Sequence, residues 1–283
     1  MGRTTPIKQV LEGLYVRYNR RELIDPDPLQ FVYRYSEPGD MEIAAFLASA
    51  LAYGRVQQID KSLERLFGCM GQSPSEFVRD FDKRKKARLT NFKHRFTTGG
   101  DVAGLLELLA DALKQSGSLE AYFLRGYKSS DKNVIPALSR FCGSLCEAYA
   151  QKHGGRLPRG LMYLLASPAR NSACKRLNLF LRWMVRHDDV DTGLWKSIDK
   201  AKLIVPIDVH MGRLCRILGL YSRKTISLPT AVEITESFAR IEPADPARYD
   251  FSLSRIGIVE NCDGTYRPDC GECELLEFCR LSR

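Results

Sequence analysis

Four cysteines crowd into the end of this 283-residue chain, Cys262, Cys270, Cys273 and Cys279, in the pattern C-x7-C-x2-C-x5-C. Four thiols in one short segment, two of them separated by only two residues, can wrap around one compact metal centre as thiolates. Zinc and an iron–sulfur cluster both satisfy that ligand count. Structural zinc sites usually carry two close C-x2-C pairs, and this tail has one. The other cysteines, Cys69, Cys142, Cys146, Cys174 and Cys215, are scattered through helical patterns and read as packing thiols.

Two further residues have the types that covalent chemistry needs. Asp208 follows the turn L-I-V-P-I and opens a helical pattern over 208–219. A carboxylate there caps the helix, a role worth about 1 kcal/mol, and the helix N-terminus keeps it ionised. Lys175 lies in the helical stretch 172–186, where Leu177, Phe180, Leu181 and Met184 form the apolar stripe. With Asn178, Arg182 and Arg186 it makes a second, polar face, which predicts a surface or a cleft. An unprotonated lysine amine is a nucleophile, and a fixed carboxylate stabilises positive charge developing beside it. By type and spacing alone, Asp208 is equally a cap and Lys175 equally a solvated side chain.

The elements that must position these groups read as helix almost throughout, with Gly, Pro, Asn and Ser clusters between them. The pattern predicts helices over 6–20, 40–53, 56–69, 74–81, 101–115, 118–126, 133–152, 159–165, 172–187, 208–219, 228–241 and 246–259, an all-α protein. Pro168, Pro206 and Pro229 mark breaks, because proline lacks the amide donor and restricts the residue before it. The polar connector 187–205 is long for a compact domain, and such connectors are commonly functional or carry short helices.

The balance of 43 Lys and Arg against 34 Asp and Glu gives a net charge of +9 and favours a polyanionic partner. The basic run KRKKAR at 83–88 reads as a solvated face. An odd cysteine count of 9 and a first twenty residues without a leader-like apolar stretch predict a reducing, cytoplasmic setting. No apolar run of membrane-spanning length occurs, so no membrane partner is expected.

The tail sequence CGECELLEFC with an upstream cysteine resembles the iron–sulfur tail of the endonuclease III and adenine glycosylase proteins, whose pattern is C-x6-C-x2-C-x5-C. The segment LIVPIDVHMGRLCRILGL at 203–220 resembles the stretch in which the aspartate of that superfamily opens a helix, and maps it onto Asp208. Lys175 matches the position of the superfamily's lysine, near the start of the helix after the hairpin, and its 33-residue separation from Asp208 is similar to archaeal 8-oxoguanine glycosylases. The segment 41–68 resembles the helix pair that opens the glycosylase barrel, with Leu51, Tyr53 or Arg55 at the turn that fills the gap left by an extruded base. Taken whole, the chain resembles a bacterial branch of the iron–sulfur helix-hairpin-helix DNA glycosylases.

That resemblance implies two helical domains with a cleft between them, a barrel-like domain at 39–205 and a cluster domain from 1–38 plus 206–283. It implies a [4Fe-4S] cluster on the four tail cysteines, zinc being the alternative. Lys175 would form a Schiff base and Asp208 supply the carboxylate in excision of a damaged base, an oxidised purine such as 8-oxoguanine, from double-stranded DNA. DNA contacts are expected from Leu51, Tyr53, Arg55, Arg176, Arg182, His210 and Arg213, in a monomer. Two departures stand out. The superfamily hairpin is a Gly-rich L-P-G-x-G turn, whereas SPARNSAC at 167–174 has no glycine, and the loop 263–269 offers only Arg267 against Asp263 and Asp269. A non-catalytic iron–sulfur protein that binds DNA or RNA is the alternative reading.

Overall fold

The computed structural model describes residues 6–259 and 262–282. In chain order the helices are α1 (Pro6–Tyr18), α2 (Pro38–Ala50), α3 (Val56–Met70), α4 (Pro74–Arg79) and α5 (Lys83–Ala87). After a two-strand hairpin, β1 (Lys93–His94) and β2 (Thr97–Thr98), come α6 (Gly99–Ser116), α7 (Leu119–Leu124), α8 (Ile135–Lys152) and α9 (Arg159–Leu164). The chain closes with α10 (Lys175–Val185), α11 (Val209–Ile217), α12 (Leu228–Ile241) and α13 (Asp250–Val259). The protein is all-α in class. Among the described residues, strand pairing is confined to the hairpin and one bridge between His187 and Thr192.

The chain divides into two compact units, one of Met1–Leu23, Asn171–Thr192 and Ile198–Arg283, the other of Ile24–Arg170 and Gly193–Ser197. These boundaries differ from the 38/39 and 205/206 breaks that the resemblance implies. The consequence is direct: Lys175 and Asp208 belong to one unit.

In the unit built on Ile24–Arg170, α6 is the central element, packed by α4, α7, α8 and α9. It starts at a capping box in which Thr98 and Asp101 satisfy each other's backbone donors. Gly99 is required there, because a Cβ would lie 1.8 Å from the carbonyl oxygen of Leu89. α2 is buried along nearly its whole length, two acids included. Asp40 accepts from Ser73 Oγ and the Ser75 amide at the start of α4. Glu42 accepts from the Leu119 and Glu120 amides at the start of α7 and from Trp195 Nε1 at 2.8 Å. Burial pushes the Glu42 carboxyl upward against those three donors.

The other unit holds α1 and α10–α13, with α13 packed by α1 and α11. Here the spacing argument for α10 requires correction. Asn178, Arg182 and Arg186, expected on a surface or cleft face, are each 2% exposed, and Arg176 is 9% exposed. The reason is charge compensation. Arg182 bonds Asp191 at 3.2 Å and Asp250, while Arg186 bonds Asp245 at 2.9 Å, Asp188 at 2.9 Å and Asp191. Buried guanidiniums are tolerated when every one meets carboxylates in good geometry.

Burial works against ionisation of Asp188, but the Arg186 guanidinium and the amides of Asp191 and Val190 outweigh it and hold its pKa down to about 2. At Asp191 burial wins over both arginines and pushes the carboxyl up to about 6. Asp191→Ala leaves two buried guanidiniums without their shared partner, and urea unfolding is expected to show a loss of about 3–5 kcal/mol. Arg34→Ala, which opens the exposed pair with Glu64, is expected to cost about 1 kcal/mol or less. Because Asp188 is depressed when folded, its contribution of roughly 2 kcal/mol is present above pH 4 and lost as pH falls toward 2. A pH series of unfolding midpoints should lose that acid-limb slope in Asp188→Asn.

Candidate active site

The site begins at a turn. Asn171 (φ 56°) and Cys174 (φ 50°) both take left-handed backbone, a conformation that glycine adopts without cost and other residues rarely do. The glycine-free segment 171–174 thus makes two left-handed bends with an asparagine and a cysteine. Local bonds hold it there. Ser172 Oγ accepts from the Cys174 amide at 3.1 Å, Asn178 Nδ2 donates to Ala173 O at 3.1 Å, and the Leu228 amide donates to Asn171 O at 3.3 Å. Cys174, 3% exposed, packs inward, and burial pushes its thiol up to about 11. The turn delivers Lys175 as the first residue of α10, one bend later than the expected start at 172.

Asp208 comes from the opposite direction. Leu203, Ile204, Val205 and Ile207 are buried, and the Val205 amide is fixed by Thr235 Oγ1 at 3.0 Å. That extended, anchored approach ends where Asp208 caps α11, its Oδ1 accepting from the Met211 amide at 2.8 Å. The second oxygen is turned to the lysine: Lys175 Nζ lies 3.8 Å from Asp208 Oδ2. At that distance the two are an ion pair held by the backbones that carry them rather than by a mutual hydrogen bond. The side chains are 29% and 39% exposed, so a solute reaches both.

Beneath the pair lies the buried charge network. Burial raises the Asp250 carboxyl, Asp208 adds to that rise, and Arg182 and Lys175 oppose it, so these four groups share one electrostatic neighbourhood. Buried Cys215 on α11 is pushed up by desolvation and by the charges of Asp250 and Asp208. None of Asp188, Asp191, Asp245 or Asp250 is predicted as part of the site from sequence. The available signal was the acid-rich stretch HDDVD directly after a helix carrying arginines four residues apart.

The remaining expected residues divide. His210 and Arg213 lie on the first turns of α11, His210 exposed and Arg213 half-buried. Arg176 and Arg182 are buried, and Arg182 is engaged by Asp191 and Asp250. Leu51 is 2% exposed and belongs to the core. Tyr53 is half-buried, its hydroxyl 3.1 Å from His94 O, and Arg55 is exposed at the N-cap of α3.

The cysteine tail is a string of short turns. Cys270 lies within the turn Pro268–Glu272 and Cys273 follows it, the Cys273 amide donating to Cys270 O at 3.1 Å, and the Arg267 amide points at Cys270 Sγ at 3.4 Å. Buried Leu275 anchors the string, and Arg17 on α1 bonds Glu274 at 2.7 Å. Gly264 and Gly219, both at positive φ, lie under the stem of Arg213 and the guanidinium of Arg280, so the tail is laced to α11. The four cysteines are half-exposed and free of disulfides. As a donor set, four thiols suit an iron–sulfur or zinc centre. Among the described residues, no three His, Cys, Asp or Glu side chains gather closely enough to hold an ion. Arg267, the only cation of its loop, is paired with Asp263.

A family described as "Protein of unknown function (DUF2400)" matches residues 27–259. The chain belongs to this family. The DUF2400 span takes in Lys175 and Asp208 and stops before Cys262, so the ion pair lies within the family's common region and the cysteine tail follows it. No curated protein and no solved structure matches the chain.

The two roles of Asp208 separate by substitution. Asp208→Ala removes the cap and is expected to cost about 1 kcal/mol in chemical unfolding, whereas Asp208→Asn keeps a capping oxygen and should stay within a few tenths of wild type while losing the charge that faces Lys175.

Proposed function

We propose that this DUF2400 protein is a DNA base-excision glycosylase with lyase activity, helix-hairpin-helix glycosylase-like in fold, acting on double-stranded DNA that carries a damaged base. The observation that carries the reading is the 3.8 Å approach of Lys175 Nζ to Asp208 Oδ2. Two residues 33 positions apart, each opening its own helix, meet as an accessible amine and carboxylate, the pair such chemistry requires.

In this reading Asp208 takes a proton from the Lys175 ammonium and passes it to the departing base, which restores the carboxylate charge beside the sugar. The free amine attacks C1′ of an extruded nucleotide, the C1′–N bond breaks, and the base leaves with the bonding electrons and takes up a proton. The C1′–O4′ bond then opens, O4′ taking a proton from the amine nitrogen, and the resulting iminium acidifies C2′. Loss of a C2′ proton then expels the 3′ phosphate and cuts the strand. Oxidised purines such as 8-oxoguanine are the proposed lesions, on the length of the Lys-to-Asp connector.

Cys262, Cys270, Cys273 and Cys279 would hold a [4Fe-4S] cluster, zinc being the alternative, and when bound it would supply a covalent cross-link that rigidifies the tail against α11. Anaerobically purified protein is expected to be brown, and Cys273→Ser to lower iron and sulfide content.

The test of the activity is borohydride trapping on duplexes containing 8-oxoguanine, an oxidised pyrimidine, uracil or an abasic site. Wild type is expected to form a covalent adduct on one lesion, Lys175→Ala to form none, and Asp208→Asn to be slowed by at least about 100-fold. Specific DNA binding with no adduct on any duplex would instead favour a non-catalytic nucleic-acid binding protein, to which the glycine-free turn at 171–174 lends support.

A further inference from the structure

We propose that the unit built on Ile24–Arg170 carries a separate binding track for a single strand of nucleic acid, with phosphates along Arg88, Arg65, Lys93 and Arg95 and an unstacked base on Phe96. This track does not depend on the chemistry assigned to Lys175.

The segment from Arg88 to Arg95 runs back along one ridge of α3, meeting it about once per turn. Cys69 Sγ donates to Arg88 O at 3.7 Å, and Arg65 Nη2 donates to Lys93 O at 3.0 Å. Ser62 Oγ pairs with His94 Nδ1 at 2.9 Å, and at the helix start a Cβ on Gly54 would lie 2.9 Å from Arg95 Cδ. At 1.5 Å per residue those contacts span roughly 20 Å. Arg88, Arg65, Lys93 and Arg95 are all exposed along that length.

Charge along the track is one-sided. Between residues 82 and 98 the cations Lys83, Arg84, Lys85, Lys86, Arg88, Lys93 and Arg95 face a single acid, Asp82, which caps α5 by accepting from the Lys85 amide at 2.8 Å. On α3 itself the acids are Asp60 and Glu64; Glu64 is held by Arg34, whose charge Asp60 also faces. An extended cationic line of this kind suits a polyphosphate backbone.

The track ends on aromatic rings. The hairpin turns through Arg95 and Phe96 alone, Arg95 at φ 53°, and Phe96 is left 53% exposed. Its ring meets Tyr163 edge-on at 4.6 Å and Tyr53 at 5.3 Å. Below it the hairpin is rigidly held: His94 is fully buried, bonded to Ser62 Oγ and to Tyr53 O at 3.0 Å, and Tyr53 OH meets Thr97 Oγ1 at 2.6 Å. A fixed aromatic platform at the end of a cationic line binds a base whose face is free, which a single strand offers and an intact duplex does not. An acidic peptide would use the cations but not the platform.

Phe96→Trp provides the test, because Trp183 and Trp195 are 0% and 2% exposed and the new indole is the exposed reporter. Full-length protein is titrated with oligo-dT, oligo-rU and a fully paired duplex of equal length, with circular dichroism confirming the fold of each variant. Saturable quenching by a single strand is expected, the dT and rU arms showing whether DNA or RNA binds better. Lys93→Ala with Arg95→Ala should flatten the log–log salt dependence by about 1.4. Phe96→Ala, which lacks the reporter and is read by the anisotropy of labelled oligo-dT against wild type, should weaken binding by about 5- to 100-fold, and Lys175→Ala in the Phe96→Trp background should leave the quenching intact. No quenching by either single strand, quenching by the duplex alone, or a salt slope unmoved by the double variant would overturn the proposal.

Discussion

Arg182 and Arg186 stand inside the folded protein, and everything around the candidate site follows from how their charge is answered. Asp188, Asp191, Asp245 and Asp250 close on the two guanidiniums from the connector after α10, the loop before α13 and the start of α13. Without those carboxylates α10 would expose its polar face, because an uncompensated guanidinium in the interior costs several kcal/mol. With them, α10 is enclosed on both its apolar and its polar side. Its first residue is then the only one on the helix with an accessible side chain, and that residue is Lys175. Asp250 belongs to the same electrostatic neighbourhood as Asp208 and Lys175, so the network that buries the helix and the accessible pair feel each other's charge.

Much of this was legible in residue types. Each of the helices expected from periodicity has a counterpart within a few residues, since apolar spacing and proline breaks are local signals. Asp208 as a cap followed from a carboxylate at a helix start. Other features were not local. The burial of Arg182 and Arg186 depends on acids as far away as Asp250, and off-stripe arginines look solvated until their partners are placed. The short helix α5 and the hairpin at 93–98 are too brief for periodicity to register. The left-handed bends at Asn171 and Cys174 occur where the residue types give little warning, because asparagine tolerates that backbone and cysteine does not favour it.

The ion pair and the tail differ in standing. The pair lies within the region common to DUF2400 and is built from the backbone outward: two anchored approaches, two helix starts, one amine and one carboxylate. The tail is laced to α11 through Gly264 and Gly219, so whatever the cysteines hold bears on the helix that presents Asp208. Charge is distributed in keeping with this division, with arginines neutralised around α10 and left exposed along α3.

The most direct measurement is to locate the covalent bond itself. Protein reduced with borohydride on a lesion-containing duplex is digested with protease and nuclease, and the sugar-modified peptide is sequenced by mass spectrometry. Modification of Lys175, within the peptide that opens α10, is the predicted result. Modification of another lysine or of the chain's amino terminus would contradict the assignment of Lys175 and Asp208 as the reacting pair.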